Sequence, residues 1–417
     1  MTANPWPPPD PERVNQFGVA VDDRPAEPEP KGSPLGLVAV GLILASIGIF
    51  YSWGAFIFVM ALIVCIFLHE LGHYLAAKRA GMKVTQFFLF FGPRLWSFRR
   101  GETEIGVRLI PAGAFVKVPG MHNLDADVDP ADEPRTFRQA PFRGRFLMAA
   151  AGSCMHFAIA LLLLFISLVF VGRPKAPYDW SIADVLPATA AAAAGLQSGD
   201  RIVAIDGVPY ERYDKVVDYI VGHPNATVAI DVQRGDQLVT KTATIGVSTN
   251  PCRPGGLLGI QSQAGDTRIT PVSAPKAVQQ TFVEFGTTIG QSIQGLGKIF
   301  SPSGLRTYSK AIQTGCNTDQ RMVSPIGAAK FGADFCRDAG DCILLLAAVN
   351  IFIGLVNWFP MLPFDGGHMV IALYEKVRSR RGKRYYANIA PLLPLTYALF
   401  ALMLVLFIGN TYLDLRS

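Results

Sequence analysis

From Leu35 to Leu68 the chain runs for 34 residues without a charged side chain. A helix rises about 1.5 Å per residue and the hydrocarbon core is about 30 Å thick, so one span needs about 20 such residues. The run is therefore one overlong helix or two spans, and Tyr51-Ser52-Trp53-Gly54 offers the break between two. Three more stretches of about span length are nearly free of charge: Phe146 to Gly172, Ile343 to Phe359 and Ile389 to Tyr412. Half of the 417 residues are hydrophobic and only 17% are charged, which excludes an ordinary soluble globule. The expected fold is a polytopic α-helical membrane protein with four or five transmembrane helices.

The basic residues set an orientation. Residues 78–145 hold twelve Lys or Arg, and the short 362–390 connection holds Lys376, Arg378, Arg380, Arg381, Lys383 and Arg384. The positive-inside rule puts both in the cytoplasm and leaves 173–342 on the outer face, because one span separates each basic run from that region. Basic runs also serve nucleic-acid binding, but beside spans this clear no nucleic-acid partner is expected. Cys65 and Cys154 fall in spans as small core residues, whereas Cys252, Cys316, Cys336 and Cys342 fall in the outward region. One or two disulfides are expected there, with the pairing open and four free thiols as the alternative.

Five regions follow. Residues 1–34 contain nine prolines and an acidic excess, the composition of a disordered tail. They lack the basic start and small-residue cleavage site of a signal peptide, so the hydrophobic run after them is expected to remain. Four spans put this tail outside, and five put it in the cytoplasm. Residues 35–172 form an N-terminal membrane domain with a membrane-associated loop. In 173–250, "SIADVLP", "DRIVAIDG" and "ATVAIDVQRG" alternate apolar and polar positions between turn residues, as short strands do. The order "AAAAAGLQSGDRIVAIDGVPYERYDKVVDYI" resembles a bacterial PDZ domain, an α/β unit inserted between core spans; that resemblance implies capture of a peptide or C-terminus by strand addition. A spacer without a ligand is the alternative. In 251–342, Val278, Phe282, Phe285, Ile289, Ile293, Leu296 and Phe300 recur at helical steps, so an amphipathic helix on the outer membrane surface or over an entrance is expected. Ser301 to Asp341, rich in Gly, Ser and Cys, reads as loop with short elements. Residues 343–417 form a C-terminal membrane domain.

Against this apolar background stands Phe67-Leu68-His69-Glu70-Leu71-Gly72-His73. Positions i and i+4 share a helix face, so His69 and His73 can converge on one ion, and neutral imidazoles suit zinc. Glu70 sits beside the first ligand, placed to take a proton from water rather than to coordinate. Such a pattern on a soluble helix is often a solvated face, but three ionisable groups at the end of an apolar span are costly unless they pair or bind something. A catalytic zinc needs a third protein ligand. Asp365 supplies one, following a span and flanked by Pro360, Pro363, Gly366 and Gly367, with a turn-capping role as the plain alternative; His368 is a competing ligand.

With these residues the chain resembles the site-2 protease family of intramembrane zinc metalloproteases, in its bacterial, PDZ-containing, actinobacterial type. The resemblance is carried by His69-Glu70-Leu71-Gly72-His73, by Gly81 to Met121 with Phe91-Gly92-Pro93, and by Ala151-Gly152. Ser324-Pro325-Ile326-Gly327 and Asn357 to Gly367 complete it. It implies Zn2+ held by His69, His73 and Asp365, water activated by Glu70, and a substrate or oxyanion role for Asn357. It also implies a strand-like segment near Gly113, and regulated intramembrane proteolysis of single-span membrane protein substrates, an anti-sigma factor among them. Three departures stand out: Ala112-Gly113-Ala114 for a small residue and two glycines, Ser153 for a usual Pro, and His156 for a usual Asn. His156 reads first as a hydrogen-bonded structural residue, with a pH-sensitive or extra metal role as the alternative. Lys78 and Arg79 just past His73 place the active site near the cytoplasmic face of a plasma membrane, with the PDZ-like domain outside. Two other functions compete: an intramembrane metal transporter or sensor, which would need ligands on several spans, and an inactive PDZ scaffold, which has no use for Glu70.

Overall fold

The computed structural model describes residues 34–121, 125, 128–174, 180–250, 254–264, 269–314, 327, 330, 332–333, 336, 338–379 and 383–416. The proline-rich tail up to residue 33, Cys252, Cys316 and Ser324-Pro325-Ile326 lie outside the described residues.

Helix α1 (Pro34–Ser46) passes into a π-helical turn, Ile47–Tyr51, which stops at Ser52. Ser52 is extended, and its hydroxyl accepts from the amides of Gly54 and Ala55, an N-cap that starts α2 (Trp53–Arg79) afresh. The long uncharged run is thus two helices broken at the serine. Strands β1 (Gln86–Arg100) and β2 (Thr103–Lys117) form a hairpin that doubles back on itself. Its first segment, 86–89, pairs on one side with 104–107 and on the other with 114–117. Segment 114–117 is therefore an edge, with no further strand on it among the described residues. Helix α3 (Phe142–Ile166) ends in a second π turn, Ser167–Val171.

A compact unit follows, spanning 166–278 with 298–321. It contains β3 (Trp180–Val185), α4 (Ala190–Ala193), β4 (Arg201–Ile205), β5 (Val208–Pro209) and α5 (Tyr213–Gly222). It continues with β6 (Thr227–Arg234), β7 (Gln237–Thr244) and β8 (Ile260–Ala264). β5-β4-β6-β7 form one antiparallel sheet and β3 pairs with β8. Strand alternation buries Val228, Ile230 and Val232 with Ile182, Ile202 and Val216. Because β8 lies past residue 250, this unit runs further along the chain than the alternation of its first strands indicates. Asp200, at the mouth of β4, accepts from Arg234 at 2.7 Å and from the Gln197 amide at 2.9 Å.

The remaining helices are α6 (Ala274–Ile299), α7 (Pro302–Thr314), α8 (Ala339–Asn357), α9 (Asp365–Arg378) and α10 (Leu393–Arg416). α7 lies in the stretch after Ser301 that reads as loop with short elements. Ser301, which reads as loop composition, caps it by accepting from the Gly304 amide at 3.0 Å. α6 places Phe285 and Ile289 against Ala160, Leu164, Ala347 and Ile351, while Phe282, Val283 and Ile293 stay exposed. Cys336 and Cys342 form a disulfide at the start of α8. Among the described residues, four helices are long and apolar enough to cross a membrane, Trp53–Arg79, Phe142–Val171, Ala339–Asn357 and Ala390–Leu415, and Leu35–Tyr51 is a shorter apolar helix.

Candidate metal centre

α2 carries His69 and His73 on one buried face. α3 crosses it closely: a Cβ on Gly72 would lie 2.8 Å from the Ala151 carbonyl oxygen, and one on Gly152 would lie 2.3 Å from His73 Nε2 and 2.5 Å from His69 Nε2. Only a glycine at 152 leaves room for the two imidazoles. Asp365 is the first residue of α9, whose opening turn lies so near the preceding backbone that a Cβ on Gly366 would sit 2.3 Å from the Phe359 carbonyl oxygen. The double glycine lets the helix start directly over residues 358–362.

These elements bring three side-chain atoms together. His69 Nε2 and His73 Nε2 are 3.1 Å apart, and Asp365 Oδ2 is 3.4 Å from the first and 3.3 Å from the second. The edge of a tetrahedron with metal–ligand bonds of about 2.0 Å is about 3.3 Å, so the triangle fits one small cation. His73 Nδ1 lies 2.7 Å from the Met148 carbonyl oxygen, which can only accept. His73 therefore carries its proton on Nδ1 and presents a lone pair at Nε2. Asp365 Oδ2 is buried without a hydrogen-bond partner. Two acceptors 3.3 Å apart repel unless a cation or proton lies between them. His69, His73 and Asp365 are the group found among the described residues that could hold a metal ion.

The other candidates sit around this triangle. His156 and His368 are outside the cluster. His156 donates from Nδ1 to Asn350 Oδ1 at 2.7 Å, with its ring centroid 4.8 Å from that of His69. Asn350, fully buried, donates in turn to the Leu346 carbonyl and to Cys65 Sγ. His156 is thus tied through Nδ1 into a buried hydrogen-bond network. A cavity of about 180 Å³ is lined by Glu70, His73, Asp365, His368 and, from the β2 edge, Phe115 and Val116. The Val116 backbone amide faces the Glu70 carboxylate. Gly113, just before that edge, has φ +122°, and a Cβ there would lie 2.9 Å from Phe91 Cε2. Asn357 ends α8, half-buried, and is not among the residues lining the cavity.

The hairpin is tied to the basic C-terminal end of α2. Glu102, between β1 and β2, accepts from Arg135 at 2.7 and 2.8 Å and pairs with Lys78. Those two cations hold its carboxyl well below the usual range, at about 2. Sequence reasoning did not find the Met148 carbonyl, the Asn350 amide or the steric role of Gly152. A backbone carbonyl has no side-chain signature; the buried Asn350 in an apolar span was the available signal.

The family model described as Peptidase family M50 matches residues 57–404. This chain belongs to peptidase family M50. His69, Glu70, His73 and Asp365 all lie inside the matched residues of this M50 chain. It is 32% identical over 403 residues to the zinc metalloprotease Rip1 of Mycobacterium tuberculosis, covering 87% of this chain and 96% of that protein. It is 29% identical over 324 residues to the probable chloroplastic membrane metalloprotease ARASP2 of Arabidopsis thaliana, covering 76% of this chain and 70% of that one. A solved PDZ domain of an SdrC-like protein from Listeria innocua aligns with 21% of this chain and 96% of its own, at 22% identity and a TM-score of 0.18.

Proposed function

We propose that this M50 peptidase is a zinc endopeptidase that cuts single-span membrane proteins near the cytoplasmic face, with His69, His73 and Asp365 as ligands and Glu70 as general base and acid. The observation that carries the reading is the convergence of His73 Nε2 and Asp365 Oδ2 on one point beside His69, in a cavity that Glu70 also lines. Zinc bound there supplies Lewis acidity toward the scissile carbonyl and makes water more acidic. Glu70 takes the proton from the attacking water and passes it to the leaving amine nitrogen. Met148 holds the His73 tautomer that leaves Nε2 free, and Gly152 keeps α3 out of the space between the imidazoles.

A transmembrane helix has its peptide groups bonded internally, so it must unwind before a carbonyl reaches the site. The 114–117 edge, opened by Gly113 and facing Glu70 through Val116, is the natural partner for the unwound segment by strand addition. Asn357 holds the substrate or the oxyanion in this scheme. The basic residues at the ends of α2 and α9 favour a cytoplasmic active site, and the 166–278 unit then lies outside the cytoplasm, where a PDZ-like fold sorts substrates by their outer part or by a new terminus.

The test uses the full chain with a tagged single-span substrate, comparing wild type with Glu70→Gln for zinc content and cleavage. Retained zinc with cleavage lowered about 10²-fold or more is expected. Equal cleavage in the two proteins would sink the protease mechanism, and loss of zinc would make Glu70 a ligand.

A further inference from the structure

Arg145 and Glu375 form an ion pair with side chains only 5% and 7% exposed, and nothing in the chemistry above uses it. Arg145 lies one turn before Met148, the residue whose carbonyl orients His73. Glu375 lies on α9, the helix that begins with Asp365. The pair therefore joins the helix that sets one ligand to the helix that delivers another.

The far end of α9 is clasped further. Glu375 Oε1 accepts from the Ala387 amide at 2.7 Å, and Ser379 Oγ donates to the Glu375 carbonyl at 2.7 Å while accepting from the Tyr385 amide at 3.0 Å. Arg384 Nη1 donates to the Gln139 carbonyl at 2.7 Å and Nη2 to that of Ala140; Tyr386 Oη donates to Gln139 Oε1 at 3.1 Å. Glu375, Arg384 and Tyr386 are thus pinned to Arg145, Gln139 and Ala140, at the entry to α3.

A buried ion pair is a poor source of stability, because a well-packed apolar pair often does as well, but its directional bonds fix one geometry. Asp365 needs such fixing: it comes from a segment almost three hundred residues beyond the histidines, and a metal ligand tolerates displacements of only tenths of an ångström. We propose that the Arg145–Glu375 pair, with the Arg384 clasp, is a positioning device that holds Asp365 in register with His69 and His73. This rests on the reading of those three residues as the metal site.

The experiment uses the full chain in detergent, with Co2+ as probe, reading affinity by chelator competition and geometry by the visible d–d absorption. The variants are Glu375→Gln, Arg384→Gln and the double Arg145→Met/Glu375→Met, which leaves no unpaired buried charge. Each is expected to bind Co2+ about tenfold more weakly with an altered band, while the metal-free double variant unfolds at the wild-type temperature. A folded double variant with wild-type affinity and spectrum overturns the proposal. If it does not fold, Arg384→Gln, a change at an exposed residue, decides: unchanged cobalt binding there overturns it equally. Absence of Co2+ binding in wild type, matched by His73→Ala, would instead remove the metal-site reading itself.

Discussion

At the scale of single residues, the site depends on a side chain that is absent. Gly152 faces both imidazoles at distances no Cβ can share, so Gly152→Ala must push α3 away from α2 or turn His73 from Met148. The expected outcome is at least about a tenfold loss of zinc affinity, measured by chelator competition, with helix content unchanged by circular dichroism. Wild-type affinity in that variant would mean that the two helices separate freely, against the close contact seen at Gly72. Glu102 gives a pH prediction at the same scale. Its folded carboxyl titrates at about 2, below the usual value of about 4.3, so its pairing stabilises the fold fully above that usual value. The contribution falls as pH drops from about 4.5 toward 2, as Arg135 and Lys78 lose their anionic partner. Glu102→Gln should therefore lower the unfolding midpoint at pH 7 and shrink the wild-type loss between pH 5 and pH 2.5, as followed by thermal scans in detergent.

At the scale of elements, the proposed strand addition of a substrate turns on the hairpin. The family resemblance implies a strand-like segment near Gly113, but not that 86–89 is shared between two partners, which is what leaves 114–117 as an edge. Gly113 enters that edge with φ +122°, where a β-branched residue is strained by about 1–3 kcal/mol and would also press on Phe91. Gly113→Val should raise KM for a transmembrane substrate severalfold and leave zinc content intact, since none of the three ligands is on the hairpin. Equal KM values would remove the edge from substrate binding. The breaks at Ser52 and Ser301 work alike: each serine caps the helix after it, and each was visible as a residue, but only the first, inside an apolar run too long for one span, signalled a boundary.

For the whole molecule, the charge pattern predicts that a reporter fused near Asp231 lies outside the cytoplasm, and that after mild reduction Cys336 and Cys342 react with a membrane-impermeant maleimide in intact cells. Reactivity only after permeabilisation would reverse the orientation and move the active site to the other face. The sequence alone was enough for the spans, because burying backbone in hydrocarbon forces long uncharged helices. It was also enough to put the two imidazoles on one helix face, because a helix has one period and four residues make about one turn. Asp365 was legible only as a candidate beside His368, since residues far apart in the chain carry no mark of distance. The tertiary structure separated them, by packing Gly152 against the histidines and starting α9 over residues 358–362, so that one carboxylate oxygen reached both rings. Helical periodicity is local and can be read in order along the chain; which distant carboxylate meets the two imidazoles is a property of how helices pack, which is set by contacts between segments that the order of residues does not reveal.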